Sequence, residues 1–151
     1  MGWIRAALVL VALTCLAGCE GVLEGPFGVG DRPFVEGRWS IDAFVRSSSC
    51  GPVRDEPFGA RIFQNRDTLQ FVVEVDDFGD VRYDGRLDRD GDFRVRQATV
   101  FPDAGLRDES TVEGRFSFSG NRLSGTEVER IEDLRTGERC SIVWRWEGRR
   151  R

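Results

Sequence analysis

The sequence predicts an all-β fold: a small up-and-down antiparallel β-barrel of about eight strands. Three observations predict it. Beyond Gly37, apolar and polar residues alternate with period two and show no long helical period. Turn signals break this pattern into stretches at 38–46, 60–65, 68–76, 80–88, 92–101, 111–118, 122–131 and 139–147. Glycines stand within or open these stretches at Gly37, Gly85 and Gly114, where a missing side chain permits strong bending. A rolled open sheet or a small β-sandwich satisfies the same pattern.

The first stretch opens with Gly37-Arg38-Trp39 and turns Trp39 and Ile41 to one face. A longer connection, 47–59, follows it. The next turns can be tested by the faces they match. A three-residue Asp77-Phe78-Gly79 loop, with Gly79 left-handed, sets Val75 opposite Val81, Val73 opposite Tyr83, Phe71 opposite Gly85 and Leu69 opposite Leu87. Arg89-Asp90-Gly91, read the same way, sets Leu87 opposite Phe93 and Gly85 opposite Val95. A two-residue Asp90-Gly91 turn would set Leu87 against Arg94 and flip the face, so it is rejected. After a second longer connection, 102–110, a Gly120-Asn121 turn pairs Phe118 with Leu123 and Phe116 with Gly125. Glu127 and Glu129 then point inward and Val128 outward. A bulge near Thr126 would reverse this, and both arrangements stay open.

The opposite face is charged. Asp80, Arg82, Asp84, Arg86 and Asp88 alternate outward; Arg96 meets Asp84, and Arg94 meets Arg86. The chain has 22 basic and 26 acidic residues, a formal charge of −4, with the two signs interleaved. Every basic residue is Arg. No basic block exists to recruit nucleic acid. The terminal Arg149-Arg150-Arg151 reads as a solvated end.

The front of the chain has a different character. Arg5 precedes an apolar run of about 14 residues, short for a membrane-spanning helix. Leu16-Ala17-Gly18-Cys19 follows directly and resembles the lipobox of bacterial lipoproteins. The resemblance implies that residues 1–18 are a signal peptide, with Leu16, Ala17 and Gly18 read by the signal peptidase. It implies that Cys19 carries the lipid and anchors the chain in a bilayer. Glu20 in place of Asp implies an outer-membrane position, facing the periplasm. Residues 19–36, with Gly21, Gly25, Gly28, Gly30, Pro26 and Pro33, read as a flexible tether, although some of Phe27, Val29, Phe34 and Val35 could dock on the domain. Residues 37–151 form the barrel domain.

Within that reading Cys15 leaves with the signal peptide and Cys19 takes the lipid. Cys50 and Cys140 remain, and in an oxidising envelope they are expected to form a disulfide; two isolated thiols are the alternative. In a closed meander of eight strands, the end of the first and the start of the eighth lie at one rim. A Cys50–Cys140 bridge would staple that seam. Gly37-x-Trp39 on a first strand resembles the opening of lipocalins and avidins, which are eight-stranded barrels. By that resemblance Trp39 packs across the base.

The chain has no His, which removes the usual general base, the Ser-His-Asp arrangement and most zinc sites. Asp88, Asp90 and Asp92 have the spacing of a calcium loop, but Thr99 stands where its closing Glu would be. No metal or cofactor is expected, and no catalysis. Two functions remain. The first is a structural or protein-interaction lipoprotein with a filled barrel, in contact with another envelope protein through 47–59 and 102–110. The alternative is a carrier with a small apolar ligand in a cavity lined by Trp39, Phe71, Tyr83, Phe93, Phe116 and Trp144. An interior void above about 300 Å³, reached by Tyr83 or Glu127, separates them.

Overall fold

Eight strands close on themselves in the computed structural model, which describes residues 32–74 and 79–151. They are β1 (Gly37–Ser48), β2 (Glu56–Asn65), β3 (Thr68–Val73), β4 (Val81–Leu87), β5 (Asp92–Phe101), β6 (Leu106–Phe116), β7 (Arg122–Asp133) and β8 (Arg139–Arg150). Each pairs antiparallel with its neighbour in sequence, and β8 returns to β1. The fold is thus a closed up-and-down barrel, not an open roll or a sandwich. The tetrad Leu16–Cys19, the signal segment and the tether as far as Asp31 lie outside the described residues. So do Val75 and the Asp77-Phe78 portion of the expected turn.

Period two decides which face is buried, and most of the expected inward set is buried: Trp39, Ile41, Phe71, Val73, Tyr83, Phe93, Val95, Phe116 and Trp144. Trp146, near the end of the last stretch, is buried with them. Register is more subtle. Leu87 pairs with Phe93 and Gly85 with Val95, as expected. Between β3 and β4 the pairs are Val73 with Val81, Phe71 with Tyr83 and Leu69 with Gly85, which corrects the expected register by two residues. A two-residue slip preserves the inward face, so alternation could not detect it. The same correction applies between β6 and β7. Phe116 pairs with Leu123 and Gly114 with Gly125, and Phe118 is left on the turn, 78% exposed. This ladder runs unbroken from Leu106–Asp133 to Phe116–Leu123, so no bulge intervenes at Thr126 and Glu127 faces inward.

β2 and β6 begin earlier than expected, at Glu56 and Leu106, and the two longer connections shrink accordingly. On the outer face Arg94 does stand opposite Arg86. Its charge is met from the other side, by Glu113 at 3.0 Å.

Arg32–Glu36, read as the end of the tether, lies against the lower end of the barrel, where β1 begins. Val35 is buried. Its amide donates to Gln64 Oε1 at 2.9 Å, and its carbonyl accepts from Trp39 Nε1 at 2.9 Å. The terminal arginines are correspondingly not a free end. Arg150 completes β8, donates to the Phe34 carbonyl at 3.1 Å and covers the Phe34 ring. Above Val35 an aromatic cluster fills the lower barrel. Trp39 stands edge-on to Phe116 at 5.4 Å, Phe93 lies 4.8 Å from Phe116, and Phe71 lies 5.5 Å from Phe93.

Cys50 and Cys140 form the expected disulfide across the β1–β8 seam at the upper end, with Cα atoms 5.0 Å apart. Tight curling depends on glycine. A Cβ at Gly114 would overlap the Ser124 carbonyl and lie 2.7 Å from Gly125 Cα, both backbone atoms that cannot swing away. Gly114→Ala is therefore expected to cost about 1–3 kcal/mol, as overpacking does. Chemical denaturation measures it; a loss below about 0.5 kcal/mol would show that the sheet relaxes freely.

Candidate ligand-binding cup

Above the aromatic cluster the barrel is hollow. A cavity of about 370 Å³ occupies the upper end, opposite the end at which Arg32–Glu36 enters. Ligand pockets span roughly 300–1,000 Å³, so this one suits a small molecule. Its apolar wall comes mainly from Phe58 on β2, Val73 on β3, Val81 on β4, Leu106 on β6, Ile131 on β7 and Trp144 on β8. A larger hollow, about 1040 Å³, is a surface groove outside β4–β8. It is edged by exposed ion pairs such as Arg94–Glu113 and encloses nothing.

The floor is a hydrogen-bonded group drawn from three strands. Glu127 on β7 is only 6% exposed. Tyr83, on β4, donates its hydroxyl to Glu127 Oε1 at 2.8 Å, and Trp146 on β8 donates Nε1 to Oε2 at 3.0 Å. Phe58 and Tyr83 stand edge-on to Trp146, at 5.1 and 5.9 Å, and fix its plane. One turn of alternation higher, Trp144 Nε1 donates to Glu129 Oε2 at 2.8 Å. On the neighbouring strand β6, Asp108 accepts from Gln97 Nε2 at 2.8 Å through Oδ2.

Burial governs the protonation of these acids. It raises the Glu127 carboxyl to about 7, with Glu129 adding repulsion, while the hydrogen bonds from Tyr83 and Trp146 oppose the rise. Burial, and then the charge of Glu129, raise Asp108 to about 6. Burial and Glu56 raise Glu129. Burial and the adjacent Glu127 push the Tyr83 hydroxyl well above its ordinary range, so it remains a donor. Both Glu127 oxygens are engaged in hydrogen bonds, which suits a fixed polar floor better than a mobile acid or base.

Of the residues expected to line a cavity, Tyr83 and Trp144 do so. Trp39, Phe71, Phe93 and Phe116 are corrected to core: they fill the lower barrel and hold up the floor. Most of the other lining residues, among them Phe58, Val81, Leu106 and Trp146, carry no cavity signal in the sequence. Asp108 and Glu56 fall in the expected connections, because acids in the upper barrel interrupt the apolar alternation that reveals a strand. Among the described residues, no group of His, Cys, Asp or Glu has the arrangement to hold a metal ion.

The architecture is that of eight-stranded up-and-down barrels, to which lipocalins and streptavidin belong. No protein-family model matches the chain, and no curated protein is significantly similar to it.

Proposed function

We propose that this chain is a lipid-anchored envelope protein whose barrel binds a small, mainly apolar molecule, without catalysis. The observation that carries the reading is the cup of about 370 Å³, apolar in its walls and floored by the Tyr83–Glu127–Trp146 group. A purely structural barrel gains most by filling its interior, since a void forfeits contacts on every side. The aromatic cluster does fill the lower half, and the upper half stays open. Anchoring rests on the lipobox resemblance at Leu16–Cys19 and puts the protein in the bacterial envelope, at the outer membrane.

The neutral probe N-phenyl-1-naphthylamine tests the cup. It is expected to bind the mature protein with one-to-one stoichiometry and to accept excitation energy from Trp144 and Trp146 in the wall. Val81→Phe, which fills the cup from the β4 side, is expected to abolish binding without unfolding the barrel. Binding that persists undiminished in a folded Val81→Phe protein would refute the assignment of the cup. For anchoring, Cys19→Ser is expected to move the chain from the membrane fraction to the soluble fraction. A variant that stays in the membrane would remove the lipoprotein reading.

A further inference from the structure

The cup has one chemical peculiarity. Four of its lining residues are carboxylic acids, Glu56, Asp108, Glu127 and Glu129, and among the described lining residues none is basic. A low-dielectric hollow is an expensive place for like charges without a counter-ion. On the rest of the barrel acids meet arginines; Arg107 and Arg139, for instance, both pair with Glu132 on the outer face. Inside the cup, among the described residues, the acids have only neutral donors: Tyr83 and Trp146 for Glu127, Trp144 for Glu129, Gln97 for Asp108.

Two polar atoms at this site complete no well-formed hydrogen bond among the described residues. Asp108 Oδ1 is buried on the cup wall without a hydrogen bond. Ser110, next inward on β6 and 3% exposed, lies beside Glu127 and Tyr83, yet its hydroxyl completes no well-formed hydrogen bond. Buried polar atoms left unpaired are rare and require an explanation. Register shows where a missing group belongs. Ser110 pairs with Glu129 and Asp108 with Ile131. Asp108 and Glu129 are therefore diagonal neighbours on the inner face, their backbone positions about 7–8 Å apart, and near enough for the charge of Glu129 to act on Asp108.

We propose that the ligand is a protonated amine: an ammonium held between Asp108 and Glu129, carried on a small aromatic or aliphatic body that lies on the apolar wall. This rests on the cup being a binding site. A cationic head supplies several donors, satisfies Asp108 Oδ1 and neutralises the acids that burial makes costly. Trp144, hydrogen-bonded to Glu129, supplies apolar wall beside the same charge. Body and head together match the two halves of the lining, Val73, Val81 and Leu106 against Asp108 and Glu129.

Three probes of one shape test the charge: 2-phenylethylamine, 2-phenylethanol and phenylacetate, titrated calorimetrically into the mature protein at pH 8. The amine is expected to bind at least about tenfold more tightly than the alcohol, and phenylacetate most weakly, because a buried carboxylate favours a cation and repels an anion. Asp108→Asn and Glu129→Gln are each expected to weaken the amine by about fivefold or more while changing the alcohol by less than about twofold. Their near-ultraviolet circular dichroism should match the parent, which separates loss of charge from loss of fold. Equal binding of amine and alcohol would overturn the amine assignment and leave the cup intact. So would binding of N-phenyl-1-naphthylamine with none of the three. Failure of all four probes would overturn both readings.

Discussion

Removal of the Cys50–Cys140 disulfide is expected to produce the largest loss of stability of any single change, roughly 4–5 kcal/mol. The bridge spans a sequence separation of 90 residues, and closing so long a loop withdraws much entropy from the unfolded chain. Its position adds a native-state contribution. The β1–β8 ladder shifts register between Val45 and Ser47, so the seam is irregular just where it approaches the rim. Beyond that shift, the Ser49 amide donates to the Ser141 carbonyl and the Ser141 amide to Ser49 Oγ, both at 2.9 Å, and hold the strands beside the bridge. Denaturant unfolding of Cys50→Ser/Cys140→Ser against the parent measures the effect. A loss below about 1 kcal/mol would show that the ladder closes the barrel unaided. The cup opens at this rim, so the same variant is expected to bind N-phenyl-1-naphthylamine more weakly even where it remains folded.

The second large effect is on pH dependence. Glu127 carries its proton up to about 7 in the barrel because of burial, and an unfolded Glu releases its proton near its ordinary value of 4.5. Between those values the folded state holds a proton that the unfolded state has lost, so stability falls as pH rises. The contribution is fully present below about 4.5 and is lost as pH passes about 7; a shift of this size corresponds to roughly 3 kcal/mol. Asp108, raised to about 6, and Glu129, also raised, act in the same direction. The barrel is thus expected to be more stable at pH 5 than at pH 8. Glu127→Gln should flatten much of that slope and raise stability at pH 8. The amide can accept from Trp146 and donate to the Tyr83 oxygen, leaving the Tyr83 proton to the unpartnered Ser110 hydroxyl, so the substitution fits the site. Chemical denaturation of parent and variant at both pH values decides it. An unchanged slope in Glu127→Gln would place the pH dependence elsewhere.

Much of the barrel was legible before any coordinates. The alternation of β4 and β5, with Tyr83, Leu87, Phe93 and Val95 on one face, specifies a strand pair and its turn together. The site was less legible, for a physical reason. A cup needs polar groups at inward positions, and each such group erases the signal that identifies an inward position. Asp108 and Ser110 break the apolar rhythm of β6 in this way, so alternation alone starts that strand at residue 111 and leaves its acid in a connection. Glu56 went unplaced likewise at the start of β2. Glu127 could be seen facing inward only by accepting a buried carboxylate, and what makes that tolerable comes from Tyr83 on β4 and Trp146 on β8, residues 44 and 19 positions away in sequence.

The sequence by itself determined strand number, the buried faces of β1, β3, β4, β5 and β8, the antiparallel meander and the two cysteines that meet at one rim. These follow from local alternation, turn chemistry and parity. Only the tertiary structure decided the registers of β3–β4 and β6–β7, because a slip of two residues leaves the same side chains inside. It alone decided, too, that the aromatic residues fill the lower barrel and stop short of the upper. That depends on how tightly Gly85 and Gly114 let the sheet curl, and on which side chains from distant strands arrive at one height. Filling and hollowing are properties of the closed wall, and no single strand carries them.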